Sequence, residues 1–213
     1  MATRNSGFPG QPLDKFYTPG WVVSRDLAGQ WVPPRNCEFW EPCAGNGQMA
    51  RAIAKSFGAG CLATDIEPDR RQLVPVAKHD FLCSAGPSRS AEAPLVIITN
   101  PPYGFQSRLA VRFLDKALRL TEWSGGSVCF LLPFGFDAAR GRAGLVGYHP
   151  AFATKIVTSE RICWSNLPQK ANGPSGDHAW FIYEWQARRR NAWALKQLQV
   201  AGPVSHSPEG DGR

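Results

Sequence analysis

The chain has 213 residues, a formal net charge of +7 and a hydrophobic fraction of 43%. That fraction excludes wholesale disorder, and the length suits a single domain of α/β size. No apolar run approaches the roughly 20 residues that cross a bilayer, and the N-terminus lacks an apolar signal core. We therefore expect a cytoplasmic protein without a membrane partner.

The six cysteines are scattered along the chain without a CxxC pair. In a chain of this size, that spacing favours reduced, mostly buried thiols over a disulfide framework or a zinc site. We therefore expect no metal centre.

The positive net charge indicates the class of partner. A basic surface favours polyanions, and nucleic acid is the usual one. Part of the charge lies in Arg188–Arg190 with Lys196, and part lies in Arg140 and Arg142 of a glycine-rich loop.

Strand-like and helix-like segments alternate along the chain. After a flexible N-terminus at 1–13, Thr18 and Pro19 are expected to begin a helix that runs to Leu27, with Thr18 as its N-cap. We expect strands at 37–41, 61–64, 74–78, 95–99, 127–132, 155–158 and 179–185, and helices at 48–57 and 107–120. This alternation predicts one domain at 14–198 with a Rossmann-like, doubly wound, mostly parallel seven-stranded sheet, an antiparallel closing strand and helices on both faces. The Pro- and Ser-rich tail at 199–213 is expected to be disordered.

A glycine-rich loop follows the first expected strand and opens a helix. Gly45-x-Gly47-x-x-Ala50 matches the dinucleotide fingerprint, and Asp65 ends the next strand, where an acidic side chain takes the ribose hydroxyls. Alone, this pattern serves NAD as readily as S-adenosylmethionine. Glu41, just before the loop, would repel the pyrophosphate of NAD and attract the ammonium and sulfonium of S-adenosylmethionine.

The most informative segment is the β-branched run at 95–99 followed by Asn100-Pro101-Pro102-Tyr103. A buried strand that ends in a rigid turn delivers a carboxamide and an aromatic ring to the edge of a sheet, where open α/β folds bind ligands. By composition alone, the four residues should occur in a chain of this length less than roughly once in a thousand.

An aromatic amine is a poor nucleophile because its lone pair is delocalised into the ring. The Asn100 side-chain oxygen and the Pro101 carbonyl, held still by the flanking prolines, can accept its two protons and make the nitrogen more tetrahedral. Tyr103 supplies a stacking face for a base that has been flipped out of a duplex. This turn therefore predicts a site that binds and orients an amine.

Five segments in order resemble DNA adenine-N6 methyltransferases of the compact, phage-like type, which belong to the Asn-Pro-Pro-Tyr amino-methyltransferases. The segments are Asp14–Pro19, Phe39–Gly47, Asp65–Pro68, Asp80–Leu82 and Asn100–Tyr103. The resemblance implies S-adenosyl-L-methionine as cofactor, DNA as partner and the cytoplasm of a bacterium or phage-infected host cell. It implies a cofactor site formed by Tyr17, Thr18, Pro19, Glu41, Pro42, Cys43, Ala44, Gly45, Gly47, Asp65, Ile66, Asp80, Phe81 and Asn100.

Within that site the resemblance implies particular roles. Asp65 would hold the ribose, Ile66 and Phe81 would pack on the two faces of the adenine ring, and Asp80 would accept from the cofactor's amino group. The catalytic residues would be Asn100, Pro101, Pro102 and Tyr103.

The segments Arg161–Trp164 and Asp177–Phe181 look like the late motif of phage-type members, where an aromatic residue walls the target pocket. The candidate substrate-binding residues are Tyr103, Arg140, Arg142, Trp164, His178 and Trp180. Larger members carry a separate recognition domain, for which this chain has no room. We therefore expect short or relaxed specificity, or specificity supplied by a partner or a second protomer.

Several alternatives stay open. The same catalysis could act on an RNA adenine or guanine, on cytosine N4, or on a protein glutamine, although glutamine-specific members usually carry an N-terminal helical domain that is absent here. A catalytically silent, nucleic-acid-binding protein of the same fold is the non-enzyme alternative. A dehydrogenase is disfavoured by Glu41 and Asn100.

Overall fold

The computed structural model describes residues 12–88, 90, 92–165 and 177–186. The strands are β1 (Glu38–Glu41), β2 (Cys61–Asp65), β3 (Ala77–Lys78), β4 (Leu95–Thr99), β5 (Ser127–Pro133), β6 (Phe152–Val157) and β7 (His178–Glu184). The helices are α1 (Gln48–Phe57), α2 (Arg108–Glu122) and a π-helix at Val22–Leu27, with 3₁₀ turns at Pro12–Asp14, Phe105–Ser107, Phe134–Ala138 and Arg140–Arg142. Arg188–Arg190, Lys196 and the tail at 199–213 lie outside the described residues. None of the helices within the described part is long and apolar enough to cross a membrane.

The strands form one seven-stranded sheet in the order β3-β2-β1-β4-β5-β7-β6. Strands β1 to β5 are parallel, and β7 runs antiparallel between β5 and β6. This confirms the predicted Rossmann-like, mostly parallel sheet with antiparallel closure. Because the carboxyl ends of parallel strands meet at one edge, the turns after β1, β2, β3 and β4 are brought together there.

The central strand β4 is buried along its whole length. Ile97 packs into a cluster with Leu114 of α2, whereas Ile98 packs into a second cluster with Ile53 of α1 and Val23 of the π-helix. Successive side chains of a strand point to opposite faces. A continuous apolar run at 95–99 therefore marks a strand that is covered by helices on both sides.

Two strands begin three residues away from the sequence-based expectation. Only Ala77–Lys78 of the expected strand 74–78 is paired, because Pro75 has no N–H to donate and the Val76 N–H donates to the Gln72 side chain instead. Strand β6 begins at Phe152 and not at Lys155, and its first residues pair irregularly, with a register shift between Phe152 and Thr154.

The first helix also departs from the expectation. It becomes a π-helix at Val22–Leu27 and has no side-chain cap at its start. The Thr18 hydroxyl, expected as an N-cap, instead accepts a hydrogen bond from Asn100. A residue in the upstream segment (residues 14–19) is thereby connected to the end of β4.

Candidate active site

A cavity of about 540 Å³ opens at the carboxyl edge of the sheet. That volume lies in the range of small-molecule sites. Of the residues predicted from the sequence, those that line it are Tyr17, Thr18, Pro42, Cys43, Ala44, Gly45, Asp65, Ile66, Asp80, Phe81, Asn100 and Pro102. Pro19, Glu41, Gly47, Pro101 and Tyr103 are not among the lining residues. Most of the residues assigned to a cofactor are therefore brought to one cavity.

The glycine loop (residues 42–47) is tied to β2 by Asp65. The N–H of Gly45 donates to Asp65 Oδ2 at 2.8 Å, and the N–H of Glu67 donates to Oδ1 at 2.8 Å. Asp65 is 6% exposed and forms part of the cavity wall. Its carboxylate therefore shapes the loop, and each oxygen keeps capacity to accept a further bond from a ligand.

The two glycines of the fingerprint serve different purposes. Both have left-handed backbones, with φ of 53° at Gly45 and 81° at Gly47. A Cβ at Gly47 would lie 2.5 Å from Val74 Cγ2, which is impossible without movement. A Cβ at Gly45 would lie 3.2 Å from the Tyr17 ring. Gly47 thus lets the loop pack on residue 74, and Gly45 lets the upstream segment pass close to the loop.

Glu41 lies behind the loop and is completely buried. Its Oε1 accepts hydrogen bonds from Thr99 Oγ1 at 2.5 Å and from the Cys43 N–H at 2.9 Å. Its Oε2 has no hydrogen-bond partner among the described residues. Burial raises the pKa of the Glu41 carboxyl to about 8. Direct contact of Glu41 with a cofactor stays a prediction, because the residue joins the ends of β1 and β4 from outside the cavity.

Polar contacts fasten the upstream segment across the cavity. Lys15 Nζ lies 2.9 Å from Asp69 Oδ1, and the Tyr17 hydroxyl donates to the other oxygen of Asp69. At the opposite side, Asp14 Oδ2 accepts from the Gly104 N–H at 2.8 Å. No sequence motif contains Asp69, since its partners are more than 50 positions away.

Asn100 is held with its carboxamide at the cavity wall. Its Nδ2 donates to Thr18 Oγ1 at 3.2 Å and to the Phe16 carbonyl at 3.4 Å, and its Oδ1 accepts from the Tyr103 hydroxyl at 3.0 Å. A carbonyl can only accept, so the Phe16 contact decides which end of the amide is nitrogen. The upstream segment therefore orients the oxygen that was predicted to contact an amine.

The end of the cavity beyond β3 combines a carboxylate with apolar rings. Asp80 Oδ1 accepts from the N–H groups of Leu82 and Cys83 at 2.9 Å and 3.2 Å. Hydrogen bonds, led by one from the Cys83 side chain, lower the pKa of Asp80. Phe81 is stacked on Phe113 of α2, with ring centroids 5.0 Å apart. Phe113 and Arg112 also line the cavity, although the sequence predicted only a helix at 107–120 and no site residue in it.

The residues of the late motif lie close to the catalytic turn. The His178 ring lies 6.3 Å from that of Tyr103 and 5.2 Å from that of Trp164, and Trp164 lies 5.5 Å from Phe16. Trp180 is fully buried, and its indole N–H donates to the Val22 carbonyl at 3.1 Å. Trp180 therefore packs in the core, and its role toward a substrate stays a prediction.

Arg140 and Arg142 lie on a 3₁₀ turn outside the cavity lining. The Arg142 guanidinium lies 4.4 Å from the centre of the Phe136 ring, and desolvation lowers its pKa. Their contact with a substrate stays a prediction.

The sequence matches no protein-family model, and it matches no curated protein at a significant level. Solved structures do share the fold. One, from Listeria monocytogenes, is described as a candidate class I S-adenosylmethionine-dependent methyltransferase; it has a TM-score of 0.55 and 16% identity, with 79% of this chain and 60% of that chain covered. The methyltransferase subunit of a type I restriction-modification system from Streptococcus thermophilus has a TM-score of 0.51 and 14% identity, with 79% and 44% covered.

The chain therefore has the fold of class I S-adenosylmethionine-dependent methyltransferases. It spans 60% and 44% of the lengths of those two proteins. At such identities the likeness establishes the fold alone.

Proposed function

We propose that this protein is an S-adenosylmethionine-dependent DNA methyltransferase that methylates the exocyclic N6 of a flipped-out adenine. The observation that carries the proposal is the Asn100 carboxamide. It lies at the cavity wall with its nitrogen fixed by Phe16 and Thr18 and its oxygen beside Tyr103. An oriented neutral acceptor beside an aromatic ring suits an amine on a planar base.

The residues that line the cavity fit the adenosyl cofactor. Asp65 and Asp80 present carboxylates at the ends of β2 and β3, where ribose hydroxyls and an amino group need acceptors, and Ile66 and Phe81 offer apolar contacts to an aromatic ring. When bound, S-adenosylmethionine supplies a methyl group made electrophilic by the adjacent sulfonium. The glycine loop would hold the methionine end between Pro42 and Gly45.

The catalytic turn would act by orientation. Asn100 Oδ1 and the Pro101 carbonyl would accept the two protons of the target amine and localise the nitrogen lone pair for attack. Tyr103 would stack on the extruded base and offset part of the cost of unstacking it, since base–aromatic stacking is worth about 1–3 kcal/mol. A strong general base is not required, because the alkylated nitrogen loses its proton readily.

Transfer of a labelled methyl group to defined acceptors tests the proposal. The purified protein is incubated with methyl-labelled S-adenosylmethionine and, separately, unmethylated genomic DNA, total RNA and a peptide mixture, followed by nucleoside or amino-acid analysis. We expect label in N6-methyldeoxyadenosine from DNA. Label in cytosine N4, in RNA bases or in glutamine would reject the adenine-specific DNA activity and keep the chemistry. Cofactor binding without transfer to any acceptor would support the silent, nucleic-acid-binding alternative.

A further inference from the structure

A turn with an unfavourable backbone holds Phe105 in solvent beside the catalytic turn. The side chain is 73% exposed and lies two positions after Tyr103. The next two residues, Gln106 and Ser107, have φ values of 53° and 60°. Residues with a side chain seldom adopt this left-handed backbone, and such residues cluster at functional sites.

Two arginines follow Phe105 along the first turns of α2. The Arg108 guanidinium lies 5.9 Å from the centre of the Phe105 ring. Arg112, one helical turn further on, is exposed and lines the cavity. Within the described part of the chain, neither takes part in an ion pair. Like charges four positions apart on a helix repel each other, so a polyanion would relieve this repulsion.

Hydrogen bonds fix this turn to both the catalytic turn and the upstream segment. The Leu109 N–H donates to the Tyr103 carbonyl at 3.1 Å, and the Gly104 N–H donates to Asp14 Oδ2 at 2.8 Å. Two residues of extended chain span at most about 7 Å. The Phe105 backbone therefore lies within about 7 Å of Tyr103, close to the place proposed for the extruded base.

Another exposed aromatic, at the opposite end of α2, lacks these features. Trp123, just after the end of α2, is 90% exposed, and its backbone is ordinary right-handed helix. A single exposed apolar side chain is normal on a protein surface. Phe105 differs because it precedes two residues with left-handed backbone and lies beside two arginines that form no ion pair with other described residues.

We propose that Phe105 stacks on a base next to the extruded adenine, while Arg108 and Arg112 bind the phosphates that flank it. These three residues would form a DNA-contact rim that supports base flipping. The inference rests on the proposed DNA methylation. It adds a second stacking ring, exposed at the surface, to the one proposed at Tyr103.

The test uses steady-state methylation of a duplex that carries the site mapped on genomic DNA. We expect Phe105→Ala to raise the KM for DNA about tenfold, which corresponds to about 1.4 kcal/mol and matches the loss of one stacked base. The KM for S-adenosylmethionine should stay unchanged. Phe105→Trp should retain a near-normal KM for DNA, and Trp123→Ala is the matched control that should change nothing.

Two further measurements separate contact from structure. A mispaired target adenine costs less to extrude, so it should restore much of the loss in Phe105→Ala. Arg108→Ala and Arg112→Ala should each lower the slope of log K against log salt by about one, measured by anisotropy of a fluorescein-labelled duplex.

The outcomes distinguish this inference from the proposed function. A wild-type protein that methylates DNA while Phe105→Ala behaves like Trp123→Ala would overturn the inference and keep the function. An equal rise in the KM for S-adenosylmethionine would assign Phe105 a structural role. Phe105-dependent methylation of RNA alone would reject DNA as the partner, and a wild-type protein without transfer to any nucleic acid would reject both proposals.

Discussion

The two halves of the carboxyl edge are held together by different kinds of contact. On the side of β1 to β3, the carboxylates of Glu41, Asp65 and Asp80 accept from backbone N–H groups of the turns that follow. On the side of β4 to β7, rings dominate: Tyr103 lies beside His178. Carboxylate-to-backbone bonds fix a loop before any ligand arrives, whereas a base can take the place of a side-chain ring. The side of β1 to β3, which we call the cofactor half, is thus suited to a cofactor of constant shape. The side of β4 to β7, which we call the target half, is suited to a target that enters and leaves.

Asn100 joins the two halves, and its removal should produce the largest effect. We expect Asn100→Ala to lower turnover by about a hundredfold to a thousandfold, the range for loss of one preorganised group that stabilises a transition state. Cofactor affinity should change little, because Asp65, Asp80 and the glycine loop remain. Single-turnover transfer and calorimetric titration with S-adenosylmethionine measure the two quantities.

Thr18→Val is the matched control for that experiment. It removes one of the two acceptors that orient the Asn100 amide and leaves the Phe16 carbonyl in place. A neutral hydrogen bond is worth about 0.5–1.5 kcal/mol, so turnover should fall by no more than about tenfold. If Asn100→Ala lowers cofactor affinity by as much as it lowers turnover, Asn100 has a structural role.

Glu41 should make the stability of the cofactor half depend on pH. The folded protein holds its pKa near 8, above the ordinary value of 4.5, because the carboxyl is fully buried. The unfolded chain therefore releases this proton at lower pH. The contribution to stability is complete below pH about 4.5, falls as the pH rises toward 8 and is lost above that value, with an upper limit of about 5 kcal/mol.

Glu41→Gln should remove the part of the pH dependence of the unfolding free energy that Glu41 causes. The glutamine carbonyl can still accept from Thr99 and Cys43, and its amide replaces an oxygen without a partner among the described residues. Urea unfolding from pH 5 to pH 9 should show a steeper decline for the wild type than for the variant. Parallel curves would mean that Glu41 is ionised in the folded protein at neutral pH. A weaker cofactor affinity at unchanged stability would support a charge role toward the cofactor.

Gly47→Ala tests why the glycine loop needs its second glycine. The new Cβ would lie 2.5 Å from Val74 Cγ2 on a backbone with φ of 81°, so we expect a loss of about 2–4 kcal/mol in the free energy of unfolding. Gly58 has φ of 66° and nothing within 4 Å of its Cβ position. Gly58→Ala therefore measures the backbone cost alone, and should lose only about 1 kcal/mol. Adding Val74→Ala to Gly47→Ala should recover the steric part, and equal losses at both glycines would refute the clash.

How far the sequence predicts this molecule depends on whether a feature is local. The apolar run at 95–99 and the fingerprint around Gly45 each lie within one segment, so the sheet and the turn positions were predictable. The burial of Glu41 and its bond to Thr99 join residues 58 positions apart. A sequence motif predicts that residue 41 is a glutamate. Whether the Glu41 carboxylate faces the cavity depends on packing between β1 and β4.

In the target half, too, contacts between side chains could not be predicted from the sequence. Asn-Pro-Pro-Tyr predicted an acceptor and a stacking ring as two separate functions. The structure joins them, because the Tyr103 hydroxyl donates to Asn100 Oδ1 and also lies 3.3 Å from the Leu131 carbonyl. Side-chain torsions bring the two groups together, and no sequence pattern encodes them.

Tyr103→Phe should have the smallest effect and the most informative sign. The Tyr103 hydroxyl donates to the oxygen that the target amine needs, and burial raises its pKa so that it remains a neutral donor. Phenylalanine keeps the ring for stacking and frees Asn100 Oδ1 from this donor. The KM for DNA should therefore fall a few-fold, in line with about 1 kcal/mol for one neutral hydrogen bond.

Tyr103→Ala is the contrast to that change. It removes the ring as well, and should raise the KM for DNA by about tenfold or more. If Tyr103→Phe also raises the KM for DNA, the hydroxyl positions Asn100 or contacts the base. It then does not compete with the target amine for Asn100 Oδ1. A reduced turnover at unchanged KM would assign the hydroxyl to orienting Asn100 during transfer. The direction of this small effect thus decides whether the entering base must displace the hydrogen bond between the Tyr103 hydroxyl and Asn100 Oδ1.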